Sequence, residues 1–561
     1  MATELLNVQI DGVWHQFPKG TRVIEACSQA NKFIPRYCYH PKLSSPGNCR
    51  MCLIEMGMPK MGPDRKPEIG PDGKPLINWI PRPQISCAQD VAEGMGIRTD
   101  SPMVQECRQG VMEFLLINHP LDCPICDQAG ECELQEFSVE YGNAGSRFVE
   151  EKVKKPKHVE LGPRVTLDDE RCILCSRCVR FMKEVAQDDV LGFASRGSDS
   201  YLTAHPGKRL DSNYSLNTVD ICPVGALTNT DFRFKMRVWF LKETKSICTD
   251  CATGCNTIIG TRQDVIYRQT PRQNDAVNSD WMCDRGRLDF HYVNSEDRLK
   301  HPQIREKDEL TEASWTSALA KAGQELKQFE KNEIAVLASA RATNEELWLT
   351  GKLIEAVDTH FYDVVPRLGE ADHLLVSADR NPNTHGAQLL NITGEEPGVN
   401  LPAIADGIRS GAIKAVVALG EDLAQIGLSV AEIQKLSSLI AVSILPNETT
   451  RHATVVLPSF AFAEKRGSMI NGKHRLQRLN RAIKEPGEAR DDWEIMRDLI
   501  QPLTGSNGIY LIEDVFRQMA DAIPALKGLT LSRISDLGVD LPKETAETTI
   551  ANAELVEGRT L

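Results

Sequence analysis

The seventeen cysteines of this 561-residue chain all lie within its first 283 residues. Fifteen of them fall into four groups with the spacing of metal ligands, and the rest of the chain contains none. Such a density indicates either a disulfide framework or bound metal. The short C-x2-C spacings favour metal, and their fourfold repetition favours iron–sulfur clusters over a single structural zinc.

Composition narrows the functional classes. The hydrophobic content of 41% and the charged content of 25% are ordinary for globular protein, and the length predicts roughly three to five domains. The net charge of −13 argues against nucleic-acid binding, which needs a basic surface. The opening MATELLNVQIDG lacks the pattern of a signal or transit peptide, and no run approaches the roughly eighteen apolar residues of a membrane span. We therefore expect a reducing cytoplasmic location, where paired thiols commonly bind metal.

The first group consists of Cys38, Cys49, Cys52 and Cys87. Before it, LLNVQI and VWHQF flank a DG turn and predict a β-hairpin, and TRVIEACSQANKF predicts an amphipathic helix. The same order precedes the 2Fe–2S loop of plant-type ferredoxins, although ten residues separate the first two cysteines here instead of the usual four or so. The pattern predicts a 2Fe–2S cluster on a relative of that fold, with zinc as the alternative.

The second group consists of His119, Cys123, Cys126 and Cys132, in HPLDCPICDQAGEC. Three cysteines leave a 4Fe–4S cluster one ligand short, and the histidine is the nearest candidate for the fourth. Because imidazole is neutral where thiolate is anionic, such a ligand should raise the reduction potential of the cluster. The alternative is that the histidine caps a helix and that Cys107 or water completes the site.

The third group consists of Cys172, Cys175, Cys178 and Cys222. In two-cluster ferredoxins, each C-x2-C-x2-C-x3-C-P run lends its last cysteine to the other cluster. Met182 stands where the first run should have that cysteine. The three remaining cysteine positions of the second run are occupied by Ser212, Ser215 and Thr218. Both losses delete the same cluster, so one 4Fe–4S cluster is predicted here.

The fourth group consists of Cys248, Cys251, Cys255 and Cys283. Zinc ribbons can have this spacing, and so does the 4Fe–4S site that opens molybdopterin oxidoreductases. The presence of three other cluster motifs in the chain favours iron over zinc at this site. The two remaining cysteines, Cys27 and Cys107, are expected to be ordinary core residues.

The half without cysteines has a different sequence pattern. Its apolar runs predict the strands of a doubly wound parallel sheet: IAVLA (334–338), DHLLV (372–376), KAVVAL (414–419), LIAVSIL (439–445) and TVVLP (454–458). No G-x-G-x-x-G follows any of these runs and no Walker A motif occurs, so the sequence supports no nucleotide site. It also offers no Ser/His/Asp arrangement for catalysis.

Six segments are predicted, of mixed α+β and α/β class. They are a 2Fe–2S ferredoxin-like domain (1–98), a His/Cys3 4Fe–4S domain (99–150), a ferredoxin-like 4Fe–4S domain (151–240), a further 4Fe–4S domain (241–300), an α/β domain (301–540) and a flexible tail (541–561).

Taken together, RYCYHPKLSSPGNCRMCLIE, HPLDCPICDQAGECELQ, ERCILCSRCVRF, DICPVGALT and CTDCATGCN resemble the large iron–sulfur subunit of bacterial NADH–quinone oxidoreductase, respiratory complex I. The resemblance covers nearly the whole chain, and the second of these motifs is highly specific. It implies a β-grasp ferredoxin at the N-terminus, one 2Fe–2S cluster in the first group and a 4Fe–4S cluster in each of the other three. It also favours His119 as a ligand.

From about residue 245 the chain is also similar to molybdopterin oxidoreductases, notably in ASARATNEE and LPSFAFAEKRGSMINGKHRLQ. Two features depart from that family. Arg285 replaces the lysine usual after the last cluster cysteine, and this half is far shorter than a catalytic member. We therefore expect a truncated domain that binds no molybdopterin.

The resemblance implies an electron relay from a flavin-bearing NADH dehydrogenase subunit towards quinone, with no catalytic residue and no NADH or quinone site in this chain. Its partners would be that subunit and the other peripheral-arm subunits of complex I, on the cytoplasmic face of a bacterial inner membrane. The fourth cluster is expected to be mainly structural. Two alternatives are an electron-transfer subunit of an NAD-linked formate dehydrogenase or hydrogenase, and an assembly scaffold that binds zinc.

Overall fold

The computed structural model describes residues 4–71, 73–505 and 508–542. The predicted tail therefore lies almost entirely outside the described residues. The chain divides into two compact units, Met1–Phe240 and Leu241–Leu561. The finer domain boundaries given above remain predictions. Within the described ranges, no helix combines the length and the apolar character needed to cross a bilayer.

The first unit is built from short elements. Its strands are β1 Leu5–Ile10, β2 Val13–Pro18, β3 Leu53–Pro59, β4 Ile77–Trp79, β5 Gln84–Ile85, β6 Met95–Arg98, β7 Val159–Glu160, β8 Val165–Leu167, β9 Leu191–Ala194, β10 Tyr201–Ala204 and β11 Leu227–Asn229. Its helices are α1 Val23–Gln29, α2 Pro102–Leu116, α3 Glu133–Tyr141, α4 Arg177–Glu184 and α5 Asn217–Asp220.

The N-terminal sheet has the strand order β2-β1-β6-β3-β4, with β5 also paired to β3. Strands β1 and β2 form the predicted hairpin, and Asp11 and Gly12 both have positive φ in its turn (48° and 86°). This is the conformation that an Asp-Gly turn favours, because it matches the twist of the paired strands. Strand β6 pairs parallel to β1 and antiparallel to β3. The predicted helix is α1, and its Ile24 and Cys27 belong to the core beneath the sheet.

The rest of the first unit has little regular structure. A three-stranded sheet, β11-β8-β7, and the hairpin β10-β9 are joined by the loops that carry the third cysteine group. Helix α4 contacts α5 and β9. Such short strands bury few apolar side chains, so this part of the chain needs additional stabilisation, of the kind that bound metal provides.

The second unit is larger. Its strands are β12 Lys242–Ile247, β13 Asn256–Arg262, β14 Val265–Pro271, β15 Gln303–Glu306, β16 Glu309–Glu312, β17 Ile334–Ala338, β18 Tyr362–Val364, β19 Ala415–Leu419, β20 Ser438–Ser443, β21 Val455–Pro458, β22 Gly467–Ile470, β23 Arg475–Leu479 and β24 Val539–Asp540. Its helices are α6 Asp284–Leu288, α7 Trp315–Leu326, α8 Asn344–Ala356, α9 Thr384–Leu389, α10 Leu401–Ser410, α11 Val430–Ile433, α12 Glu448–His452, α13 Asp492–Thr504 and α14 Ile512–Ala522.

A seven-stranded sheet of order β16-β15-β21-β20-β19-β17-β18 forms the centre of this unit. The five strands from β21 to β18 are parallel. Ile334 and Val336 of β17 pack into one core with α7, α8, α13 and α14, whereas Ala335 and Leu337 pack into a second core with α10 and α11. Helices thus cover both faces, and the predicted doubly wound sheet is confirmed.

Four of the five predicted strands are present, as β17, β19, β20 and β21. The prediction for DHLLV (372–376) was wrong, because this segment is a bend. The Asp372 side chain accepts hydrogen bonds from the N–H groups of Leu374, Leu375 and Val376 at 2.9–3.0 Å. Such local bonds offer the backbone an alternative to a strand ladder. The strand beside β17 is instead the three-residue β18, which was not predicted.

Candidate iron–sulfur sites

The cysteines of the first group lie on two separate connections of the N-terminal sheet. Three of its cysteines lie on the loop between α1 and β3, and Cys87 lies on a short 3-10 turn after β5. Arg50 takes a left-handed φ of 61° beside Cys49, a conformation that non-glycine residues adopt at a cost and mostly at functional sites. Cys38, Cys52 and Cys87 are buried, and Cys49 is half-buried.

The four thiols of the first group interact with one another, and Cys87 forms hydrogen bonds with both Cys38 and Cys52. A hydrogen bond with Cys38, followed by burial, raises the pKa of Cys49. A hydrogen bond with Cys87 lowers the pKa of Cys52. The structure therefore brings together all four predicted residues. A 2Fe–2S cluster requires four protein thiolates, two for each iron.

The third group surrounds a small enclosed site. All four cysteines line it together with apolar side chains that include Phe193 and Leu202. Leu174 and Ser176 have left-handed φ values of 54° and 63°, which curl the loop around the site. Burial, together with the neighbouring Cys222, raises the pKa of Cys175 to about 12. Clustered buried thiols resist ionisation, so a cation is needed to hold them as thiolates.

Three of the four positions of the predicted lost cluster lie in the packed interior, whereas Ser212 is half-buried. Met182, Ser215 and Thr218 are fully buried, and the Thr218 hydroxyl donates to the Ser215 carbonyl at 2.7 Å. These residues offer no thiolate. The packing supports a single cluster in this part of the chain.

The second group is the most open. Cys123 is exposed, Cys126 is buried and Cys132 caps α3. Cys123 acts electrostatically on Cys126, and Cys126 acts on Cys132. His119 lies within range of Asp122 and Arg171, which also act on Cys126. The structure therefore places all four predicted residues in one neighbourhood.

His119 has the properties of a metal ligand. Burial lowers its pKa to about 4, so the imidazole is neutral at neutral pH, which is the form that binds metal. The competing candidate, Cys107, lies in α2 beside Glu106, and its pKa is raised by burial and by that carboxylate. The neutral imidazole is compatible with a ligand role, and the choice between His119 and Cys107 remains a prediction.

Replacing His119 tests this assignment. His119→Cys should keep a 4Fe–4S cluster and lower its potential, because thiolate adds negative charge. His119→Ala should change or abolish the EPR spectrum of that cluster. His205→Ala, at an exposed histidine of the same unit, serves as the control and should change nothing. An unaltered spectrum and potential in His119→Ala would show that the histidine is not the ligand.

The fourth group lies at the start of the second unit. Three cysteines occupy the loop between β12 and β13, and Cys283 caps α6. All four are buried. The Gly286 N–H donates to Cys283 Sγ at 3.3 Å, and a Cβ at Gly286 would lie only 2.9 Å from Cys248 Sγ. Glycine is therefore needed for α6 to approach the thiols this closely.

The bend at 372–376 covers the fourth group. Leu375 packs against Cys248, Cys255 and Met282. The Thr253 hydroxyl donates to the Leu375 carbonyl. A segment whose apolar pattern predicted a strand thus shields this site from solvent.

A charged pair borders the same group. Arg285, which replaces the lysine of molybdopterin oxidoreductases, lies 3.1 Å from the buried Asp250 beside Cys251. The guanidinium neutralises a carboxylate that would otherwise disfavour negative charge on the thiols.

Sequence models of known protein families match the chain along most of its length. In chain order they are a 2Fe-2S iron-sulfur cluster binding domain (3–102), the NADH-ubiquinone oxidoreductase-G iron-sulfur binding region (108–147), the ferredoxin-like domain of NADH-quinone oxidoreductase subunit 3 (162–228), the NADH-ubiquinone oxidoreductase NDSU1/NuoG-like 4Fe-4S domain (241–291) and molybdopterin oxidoreductase (298–392 and 381–501). Each of the first four contains one predicted cysteine group. The chain is a homologue of the G subunit of NADH-quinone oxidoreductase.

The G subunit of Rickettsia felis is 39% identical over 360 residues, which are 64% of this chain and 50% of that protein. The G subunit of Rickettsia bellii is 36% identical over 429 residues, 74% of this chain and 59% of that protein. The corresponding subunit 3 of Thermus thermophilus is 39% identical over 373 residues, 64% of this chain and 47% of that protein. The chain thus spans about half the length of these relatives.

A chain in the crystal structure of an NAD+-reducing [NiFe]-hydrogenase in the H2-reduced state is also similar. It is 27% identical, and the match covers 42% of this chain and 91% of that one with a TM-score of 0.35. A TM-score this low does not establish a shared overall fold. The predicted 2Fe–2S, 4Fe–4S and molybdopterin-oxidoreductase-like domains are confirmed by the family matches, whereas the ligand sets and the number of clusters remain predictions.

Proposed function

We propose that this chain is an iron–sulfur electron-transfer subunit of NADH–quinone oxidoreductase, complex I, which relays single electrons from a flavin-bearing NADH dehydrogenase subunit towards quinone. The observation that carries this proposal is the convergence of three cysteine groups in the first unit. The thiol of Cys132 lies 3.9 Å from the carbonyl of Pro223, which follows Cys222. Asn48, beside Cys49, donates to the Leu174 carbonyl of the third group at 3.3 Å.

The chain would bind four clusters. A 2Fe–2S cluster would be held by the first group, and three 4Fe–4S clusters by the second, third and fourth groups, with no molybdopterin. When bound, these clusters accept and pass on single electrons, with potentials set by ligand type, hydrogen bonds to sulfur and burial.

The protein contributes to this chemistry by holding, insulating and hydrogen-bonding the ligands. Burial raises the pKa of Cys222, and the backbone N–H groups of Val224, Leu227 and Ala226 oppose that rise. The burial of the third and fourth groups keeps water from the sulfurs. The second group is the most exposed, which suits a cluster that exchanges electrons beyond this chain.

The partners that fit this role are the flavin-bearing subunit and other peripheral-arm subunits of complex I. The chain itself would have neither an NADH nor a quinone site. Its location would be the cytoplasmic face of the inner membrane, as a peripheral part of a membrane complex. The fourth cluster would be mainly structural.

Rapid-freeze EPR of the purified complex tests the proposal. After mixing with NADH while the quinone site is inhibited, the signals of the first three clusters of this chain should appear within one turnover. They should then disappear when the inhibitor is omitted and quinone is present. Flavin reduction without reduction of any cluster in this chain would contradict the proposal. Nickel or molybdenum in the complex would instead indicate a hydrogenase or a formate dehydrogenase.

A further inference from the structure

Arg177, the first residue of α4, lies where the three cysteine groups of the first unit meet. Its Nη2 donates to the Tyr39 carbonyl at 2.9 Å, and its Nη1 donates to the Ile221 carbonyl at 3.2 Å. Its Nη2 also lies 3.7 Å from Glu133 Oε2. Tyr39, Ile221 and Glu133 are chain neighbours of a cysteine in the first, third and second groups respectively.

Arg177 itself lies between two cysteines of the third group, so one side chain connects all three loops. The side chain is only 9% exposed. A planar guanidinium can donate to several acceptors at fixed angles, whereas the single ammonium of lysine cannot reproduce that fork. The partners are up to 138 residues away along the chain, so these bonds cross-link segments that local structure does not join.

We propose that Arg177 is a positioning residue, which fixes the three cluster-binding loops relative to one another and raises the reduction potentials of the clusters that they hold. This inference rests on the cluster assignment of the proposed function. A buried positive charge favours the reduced form of a nearby cluster, because reduction adds negative charge in a medium that screens weakly. The hydrogen bonds keep the loops at the separation that electron transfer between them needs.

Arg180 provides a matched comparison, because it lies on the same helix one turn further along. Its guanidinium donates to the carbonyls of Cys38 and Ser44 and to the Ser176 hydroxyl. These partners belong to the first and third groups. Its removal should therefore affect those two clusters and leave the second unchanged.

The test is redox titration and pulsed EPR of the assembled complex. At a fixed potential, Arg177→Met should shift the reduced-to-oxidised ratio of the first, second and third clusters about tenfold towards the oxidised form. For a one-electron couple, this shift corresponds to a fall of about 59 mV in reduction potential. It should also weaken the magnetic coupling between neighbouring clusters. Arg177→Lys keeps the charge, so it should restore most of the potentials and still weaken the coupling. The fourth cluster, in the other unit, serves as an internal reference.

Two results would overturn the inference. One is wild-type potentials and coupling in an Arg177→Met complex that carries all its clusters. The other is a shift of the second cluster in Arg180→Met as large as in Arg177→Met. If the Arg177→Met complex does not assemble, wild-type magnetic coupling in the Arg177→Lys complex is by itself enough to overturn the inference. Absence of the three signals in the wild-type complex would instead contradict the proposed function.

Discussion

Cys178→Ala is expected to eliminate the cluster of the third group and to destabilise the first unit to the point where little assembled protein remains. Cys178 lies in α4, buried among the other three cysteines of its group, which all act on its thiol. Structural zinc in small peptides contributes about 10–16 kcal/mol, comparable to the whole stability of about 5–15 kcal/mol of a domain, and a cluster of similar weight would decide whether this unit folds. Iron content and resistance to limited proteolysis measure both effects.

Cys107→Ala is the control for this substitution. Cys107 lies in α2, is half-buried and belongs to none of the four groups. Its replacement should leave the iron content unchanged and alter the stability by about 1 kcal/mol at most. A Cys178→Ala protein that folds with the full iron content would contradict the assignment of the third group.

Lys465→Met should strongly destabilise the second unit. The ammonium lies 2.8 Å from Glu346 and 2.7 Å from Asp492, and all three side chains are largely buried. Burial alone would lower the pKa of Lys465, but Asp492 and Glu346 outweigh it and raise that pKa. Removing one partner of such a buried pair typically costs about 3–5 kcal/mol, since the opposite charges are left uncompensated.

The free energy of unfolding in denaturant measures this loss. The matched control is Lys352→Met, which lies in α8 like Glu346 but pairs with Glu355 at the surface. Exposed pairs contribute about 1 kcal/mol at most, so this variant should unfold almost like the wild type. Equal losses in the two variants would show that the buried carboxylates do not depend on Lys465.

The cysteine groups could be predicted from the sequence because ligands close together in the chain must also be close in space. The distant members of the groups were predicted from the ferredoxin-like pattern for Cys87, the Cys-Pro pattern for Cys222 and the molybdopterin-oxidoreductase-like spacing for Cys283. The role of Arg177 could not be predicted. Nothing in the local sequence distinguishes it from Arg180, and its partners lie in loops distant along the chain.

The parallel sheet of the second unit was predictable because its strands are continuous apolar runs, which indicate strands buried on both faces. The run at 372–376 has the same apolar character but bends, because the Asp372 carboxylate satisfies its backbone N–H groups locally. Strand β18 is too short for any pattern to emerge from its three residues. The apolar pattern alone therefore cannot distinguish a strand from a bend where a side chain can accept the backbone hydrogen bonds that a neighbouring strand would otherwise accept.

The most direct test of the account is the metal content of the purified wild-type protein, combined with EPR in the oxidised and reduced states. One 2Fe–2S and three 4Fe–4S clusters predict about fourteen irons per chain, with matching acid-labile sulfide and four separable signals on reduction. Fewer than about ten irons in a fully loaded preparation, or zinc in place of iron in any of the four groups, would contradict the claim that this chain carries four iron–sulfur clusters.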